Sequence, residues 1–201
     1  MNDSEEATVV STISAARERV QATAERLFAE RGYKAVTLRD IAQELGIRQA
    51  SLYYHFPGGK EELYVTVTER GLQAHREGLE QAIAGAGESL EAGLRAVLQW
   101  LASHPPVDLA RMLLADFPAI SEEHRNRLTE LALDCLVRPI ENLLQNARQR
   151  GEAREVDSRL AALTVLAAAE ALHANARLTA REPADLVESA LPILLRGLGR
   201  S

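Results

Sequence analysis

Cysteine and lysine are nearly missing from this chain of 201 residues: Cys135 stands alone, and Lys34 and Lys60 are the only lysines. A single thiol excludes an internal disulfide, a CxxC pair and any metal site built from several thiolates. No stretch approaches the roughly 18 uninterrupted apolar residues of a membrane span, so no membrane partner is expected. The leading MNDSEEATVV has neither the basic nor the apolar block of a signal peptide, and the expected location is the cytoplasm. Sustained alternation with β-branched residues is absent, which argues against a sheet. There is no GxSxG, no P-loop and no HxxxH, and Gly85-Ala86-Gly87 is too short for a dinucleotide fingerprint. His104, His124 and His173 are scattered without a carboxylate or thiolate pattern around them. Neither an enzyme, nor a cofactor, nor a metal is therefore expected.

Hydrophobic residues make up 46% of the chain and charged residues 26%, the balance of an ordinary folded protein. Lysine and arginine number 23 against 29 aspartates and glutamates, a net charge of −6. Taken whole, that acidity disfavours a nucleic-acid partner. Resolved along the chain it does not: residues 1–13 carry −3, residues 14–60 carry +3 (8 basic minus 5 acidic), and the remainder carries −6 (15 minus 21). Aromatics divide in the same place, with Phe28, Tyr33, Tyr53, Tyr54, Phe56 and Tyr64 in the first 64 residues and only Trp100 and Phe117 beyond. Two domains are expected, at 12–58 and 59–201.

Apolar periodicity reads as helix almost throughout, an all-α fold of about nine helices. Val20, Ala24, Leu27 and Phe28 mark a first helix over 12–31 that Gly32 stops. Thr37 with Asp40 forms a near capping box ahead of Leu38, Ile41, Ala42 and Leu45, and Gly46 ends that short helix. A third helix carries Ala50, Ser51, Leu52, Tyr53 and Tyr54, stopped by Pro57-Gly58-Gly59, and a long fourth begins near Lys60. Further helices are expected at 89–103, 106–117, 121–150, 157–180 and 184–198, with Pro139 and Pro192 kinking or breaking theirs.

Two short helices across a glycine turn make a helix-turn-helix, whose second helix enters the DNA major groove. Ile41, Leu45, Ile47 and Leu52 would pin the pair to the first helix, leaving Arg48, Gln49, Ser51, Tyr53, Tyr54 and His55 outward. With TLRDIAQELGI, SLYYHF and KEELY in order, residues 14–64 resemble the N-terminal domain of the TetR family of transcriptional regulators. The resemblance implies a three-helix DNA-binding head and a larger helical domain that binds a small-molecule effector and dimerises through its last two helices. It implies DNA contacts from Thr37, Arg39, Arg48, Gln49, Ala50, Ser51, Tyr53, Tyr54, His55 and Lys60. Arg48 departs from the Ser or Thr that many relatives carry at the cap of the recognition helix.

In the body, Trp100, His104, Met112, Phe117 and His173 are the candidate effector contacts among Leu- and Ala-rich helices. For a homodimer interface the apolar stripes offer Leu160, Leu163, Ala167 and Ala171 on one helix and Val187, Leu191, Leu194 and Leu198 on the next. The expected function is a homodimeric repressor that reads a palindromic operator in double-stranded DNA and is released by a small hydrophobic effector. An activator under another signal, or a ligand-binding or enzymatic helical protein with a vestigial head, stays open.

Overall fold

The computed structural model describes residues 3–105 and 108–199. Its helices are α1 (Asp3–Ala35), α2 (Leu38–Leu45), α3 (Gln49–His55), α4 (Gly59–Gly85), α5 (Leu90–Ser103), α6 (Leu109–Arg111), α7 (Glu122–Ala132), α8 (Arg138–Gln149), α9 (Ser158–Thr179) and α10 (Val187–Leu198). A π turn, Leu133–Val137, joins α7 to α8 without a break, so the described residues contain nine continuous helical runs and no strand. The all-α expectation holds.

The chain divides into two compact units, Met1–Gly71 with Ala110–Leu128, and Leu72–Leu109 with Thr129–Ser201. The unit holding the helix-turn-helix thus reaches past residue 58, where the sequence pattern changes, and takes in a distant segment as well. In this first unit Val20, Ala24, Leu27 and Phe28 are buried as their spacing requires, against Ile41, Leu52, Phe56 and Leu63. Phe28 meets Tyr64 edge-on with ring centroids 5.1 Å apart, and Tyr33 lies 4.8 Å from Tyr64. Gly32 stops the regular helix where the sequence places its end, taking φ 78° and ψ 166° outside helical geometry, and a separate short turn continues to Ala35. A side chain there would need a strained backbone and would meet the buried Asp116 carboxylate.

The expected helix over 106–117 begins at residues outside those described. From Leu109 it makes one short turn, opens into a π turn at Met112–Asp116 and tightens to a 3-10 turn at Phe117–Ala119. Both π turns lie just before a proline, Pro118 and Pro139. Proline lacks an N–H and crowds the carbonyl four residues back, and the wider turn relieves that conflict without ending the helix. Pro192 sits inside α10 without terminating it.

In the second unit α8 packs on α9 and α10 on α5, around Leu79, Leu94, Leu98, Leu136, Ile140 and Val165, all fully buried. Ser89 caps α5 by accepting the Ala92 N–H at 3.2 Å, and the Glu152 carboxylate accepts the Leu90 N–H at 2.6 Å. The end of α10 is tied down by Arg154, whose N–H donates to the Leu198 carbonyl at 2.9 Å and whose guanidinium donates to Gly199 at 2.8 Å.

Candidate nucleic-acid interface

The recognition unit is built by local chemistry. Thr37 Oγ1 accepts the Asp40 N–H at 3.2 Å and Asp40 accepts the Thr37 N–H at 2.8 Å, a complete capping box with aspartate serving in place of glutamate. These bonds hold the Asp40 carboxyl below its ordinary pKa. At the other end of α2, Gly46 takes φ 66°, its N–H bonds the Gln43 carbonyl at 3.1 Å, and the Ile47 N–H bonds Ala42 at 3.0 Å. That Schellman turn needs a residue at ease with positive φ and redirects the chain into α3. Ala42 is buried at the close approach of the two helices.

On α3, Leu52 faces inward and is fully buried, while Arg48, Gln49, Ala50 and Ser51 are exposed. Tyr53 is 48% and Tyr54 71% exposed, and His55 is half-buried. Thr37 and Arg39 are exposed at the start of α2. Arg48 occupies the cap of α3 without a side-chain capping bond, so its guanidinium is not consumed by the helix end. The carboxylates that could have drawn Arg39 away are engaged elsewhere, Glu44 by Arg26 at 2.6 Å and Asp40 by Thr37. Ile47 corrects the expected core: it is 37% exposed, because the Schellman turn carries it out of the interior. Leu45 is only half-buried.

Lys60 is more committed than its sequence position suggests. Its ammonium lies 4.1 Å from the centroid of the Tyr33 ring, and partial burial lowers its pKa against the opposing pull of Asp116 and Asp40. Three further contacts have no sequence signal, since each joins residues far apart in the chain. Arg17 donates to the His55 carbonyl at 2.9 Å and lies 4.5 Å over the Phe56 ring, clamping the end of α3. Arg111 donates to the Ala29 carbonyl at 2.9 Å beside Asp116, whose carboxylate accepts the Tyr33 N–H at 2.9 Å, so the pair grips α1 on both sides of Gly32. Glu61 accepts from Ser121 N–H at 2.9 Å and His124 Nδ1 at 2.7 Å, bonds that pull its carboxyl down to about 2. Replacing Arg17 with alanine is expected to lower stability by about 1 kcal/mol, read as the urea midpoint followed by tyrosine fluorescence.

The five candidate effector contacts are divided between the two units. Met112, half-buried, opens the π turn and Phe117 is core, and both belong to the first unit. Trp100, His104 and His173 belong to the second. There the His104 ring stacks on the Trp100 indole with centroids 3.5 Å apart and bonds the Trp100 carbonyl through Nδ1 at 2.8 Å. His173 Nε2 bonds the Leu101 carbonyl at 2.9 Å. A residue missed in the sequence joins them: His75 on α4, its ring 6.3 Å from His104. The signal for it was Gly78, one turn further on, which leaves room for the indole to lie on α4.

The profile of the bacterial regulatory proteins of the tetR family matches residues 21–67, which are α2, α3 and their flanking helices. The transcriptional regulator LmrA of Bacillus subtilis is 35% identical over 85 residues, 42% of this chain and 45% of its own length. PfmR of Thermus thermophilus, a TetR-family regulator of known structure, is 28% identical with a TM-score of 0.71 over 90% of this chain and 100% of its own. Over its helix-turn-helix segment the chain is similar to the TetR family of transcriptional regulators. A further solved regulator, from Saccharomonospora viridis in complex with choline, shares the fold at TM-score 0.72 and 21% identity, covering 94% of this chain and 100% of that one. The chain spans about half or less of the length of the curated relatives it matches.

The candidate dimer residues fall into two groups. Val187, Leu191, Leu194 and Leu198 are at most 9% exposed within the chain's own second unit, so they cannot cover another copy. Their apolar period is real, but it belongs to the internal face of α10. Leu163 is half-buried, whereas Leu160, Ala167 and Ala171 are exposed. With Thr164, Ala174 and Leu178 they form an exposed line down α9 at spacings of four and three, the period of a helix-packing seam. Leu160 is 64%, Leu178 87% and, on α10, Ile193 74% exposed.

Proposed function

We propose that the protein is a homodimeric transcriptional repressor of the cytoplasm, without enzymatic activity, that binds a palindromic operator and releases it when a small hydrophobic effector enters the second unit. The observation that carries the DNA part is the exposed row Arg48, Gln49, Ser51, Tyr53 and Tyr54 on a capped, rigid α2–turn–α3 unit within the chain's basic segment. Gln49 and Arg48 have the chemistry of base edges, and Tyr53, Tyr54, His55, Thr37, Arg39 and Lys60 that of phosphates. The exposed α9 seam supports the homodimer, which presents two recognition helices one helical turn or a small multiple apart. The acidic remainder of the chain keeps the rest of the molecule off the phosphate backbone. A solved relative of the same fold that holds choline supports a small-molecule site in the body.

The direct test is a mobility shift on DNA upstream of the protein's own gene, at stated salt, with unrelated DNA as competitor. Absence of a specific shift for the free dimer would sink the repressor reading. Lys60→Ala is expected to weaken binding to operator and unrelated DNA alike and to reduce the salt slope by about one. Gln49→Ala is expected to change base preference at one position by about 1–3 kcal/mol. Equal losses from both across operator variants would contradict these assignments.

A further inference from the structure

We infer that His75 and Trp100 are the polar anchor of the effector site, and that they select an uncharged ligand presenting one oxygen, carbonyl or hydroxyl, on an apolar body. The inference deepens the ligand-responsive reading above and rests on it. Both side chains belong to the second unit, His75 to α4 and Trp100 to α5. The indole Nε1 of Trp100 and the Nδ1 of His75 are buried, and neither has a hydrogen-bond partner among the described residues. Glu69 and Arg111 also have a buried atom of this kind, but each pairs ionically, with Arg127 and Asp116. Among the described residues, only the α4–α5 ring cluster combines two such atoms without a charged partner. Buried polar atoms are nearly always satisfied in folded proteins, so two in one cluster, on rings that both meet His104, call for a group that the chain itself does not supply.

The chemistry of that group follows from the donors. An indole N–H only donates, so its partner must accept. Burial, with a smaller push from His104, lowers His75 to about 4, and its ring is neutral at pH 7. A neutral imidazole nitrogen accepts from a hydroxyl or, in the other tautomer, donates to a carbonyl, so an oxygen of either kind has the chemistry both atoms need. His104 is not available for this through Nδ1, which already bonds the Trp100 carbonyl. Trp100 and the neutral His75 ring offer no fixed charge to a carboxylate or phosphate, and desolvating such a group beside them is unfavourable. What remains of the rings is apolar surface, suited to a hydrocarbon body.

Trp100 is the chain's only tryptophan, so intrinsic fluorescence reports from this cluster alone. The full-length protein is titrated with four probes that share one ring: cyclohexanone, cyclohexanol, cyclohexanecarboxylate and cyclohexyltrimethylammonium. The ketone and the alcohol are expected to shift Trp100 emission and to bind about tenfold more tightly than either ion. His75→Phe keeps the ring and removes the unpaired nitrogen; it is expected to lose that tenfold and to raise the thermal midpoint by about 3 °C. No response to any probe, equal binding of the ions, unchanged ketone binding in His75→Phe, or a lowered midpoint would each overturn the anchor. The last of these would mean that His75 is satisfied internally, by water. A mobility shift with the same probes separates the two readings. Oxygen-selective binding at Trp100 that leaves the operator complex intact supports the anchor and removes the release step. Release by any probe that is indifferent to His75→Phe removes the anchor and keeps the repressor.

Discussion

Ala171→Glu is expected to make the protein monomeric and to weaken operator binding by a hundredfold or more, with the fold intact. Ala171 lies in the middle of the exposed α9 line, between Ala167 and Ala174, and touches none of the chain's own core. In the monomer a glutamate there is solvated and harmless, and it suits a helix interior better than most polar residues. In a two-fold dimer it is brought into a contact built from the same line on the partner, where two carboxylates would lose water without gaining a cation. The loss at the operator is larger than the loss of any single DNA contact. Two linked heads bind with an effective concentration that raises affinity by about 10² to 10⁴ over one head. Light scattering of the variant reads the mass, circular dichroism the fold, and a mobility shift the operator affinity. Leu191→Glu provides the contrast: Leu191 is 2% exposed, so that substitution should unfold the second unit rather than separate subunits. A dimer that persists through Ala171→Glu and Ile193→Glu would place the interface on another surface.

This division within the last two helices shows where sequence reasoning reaches and where it stops. Apart from Leu45 and Ile47, the α2–turn–α3 unit is legible in the sequence because each signal acts within four residues of itself: Thr37 with Asp40, Gly46 with Ala42 and Gln43, and the spacing of Leu38, Ile41 and Ala42. α9 and α10 are apolar on more than one face. Periodicity then shows that two faces exist, but not which one the chain covers by itself; packing on α5 and α8 decides that, and it claims Val187, Leu191, Leu194 and Leu198. The helix expected over 106–117 is present from Leu109 but departs from regular α geometry. Its composition favours a helix, but Pro118 strains the turn before it and the chain opens to a π turn at Met112–Asp116. Contacts such as Arg17 with His55, or Arg111 with Ala29, join residues 38 and 82 positions apart and leave no pattern to read.

Acid should unfold the protein in two stages whose windows follow from two groups. His75 has an ordinary pKa of 6.5 and about 4 in the folded chain, lowered first by burial and then by the facing His104. The unfolded chain therefore takes up a proton that the native one refuses. Stability from this group is complete above 6.5 and falls as the pH drops from there through 4, by about 1.4 kcal/mol per pH unit and about 3 kcal/mol in all. Glu170 opposes this in the lower part of the window. Its carboxyl is raised by burial and by Asp108, so the folded chain holds that proton more tightly than the unfolded one as the pH falls toward 4.5. Glu61 acts next: its carboxyl goes from an ordinary 4.5 to about 2 through the bonds from Ser121 and His124, and the stability it supplies is present above 4.5 and lost as the pH falls through 2. Urea midpoints at pH 7.5, 5.5, 4.5 and 3 measure both stages. In His75→Phe the loss between 6.5 and 4.5 should nearly vanish while the loss below 4.5 persists, whereas Glu61→Gln should keep the first loss and reduce the second, leaving the part carried by Asp40 and Glu152. A variant pair that flattens the same window would show that the two groups titrate as one, which their places in separate units give no reason to expect.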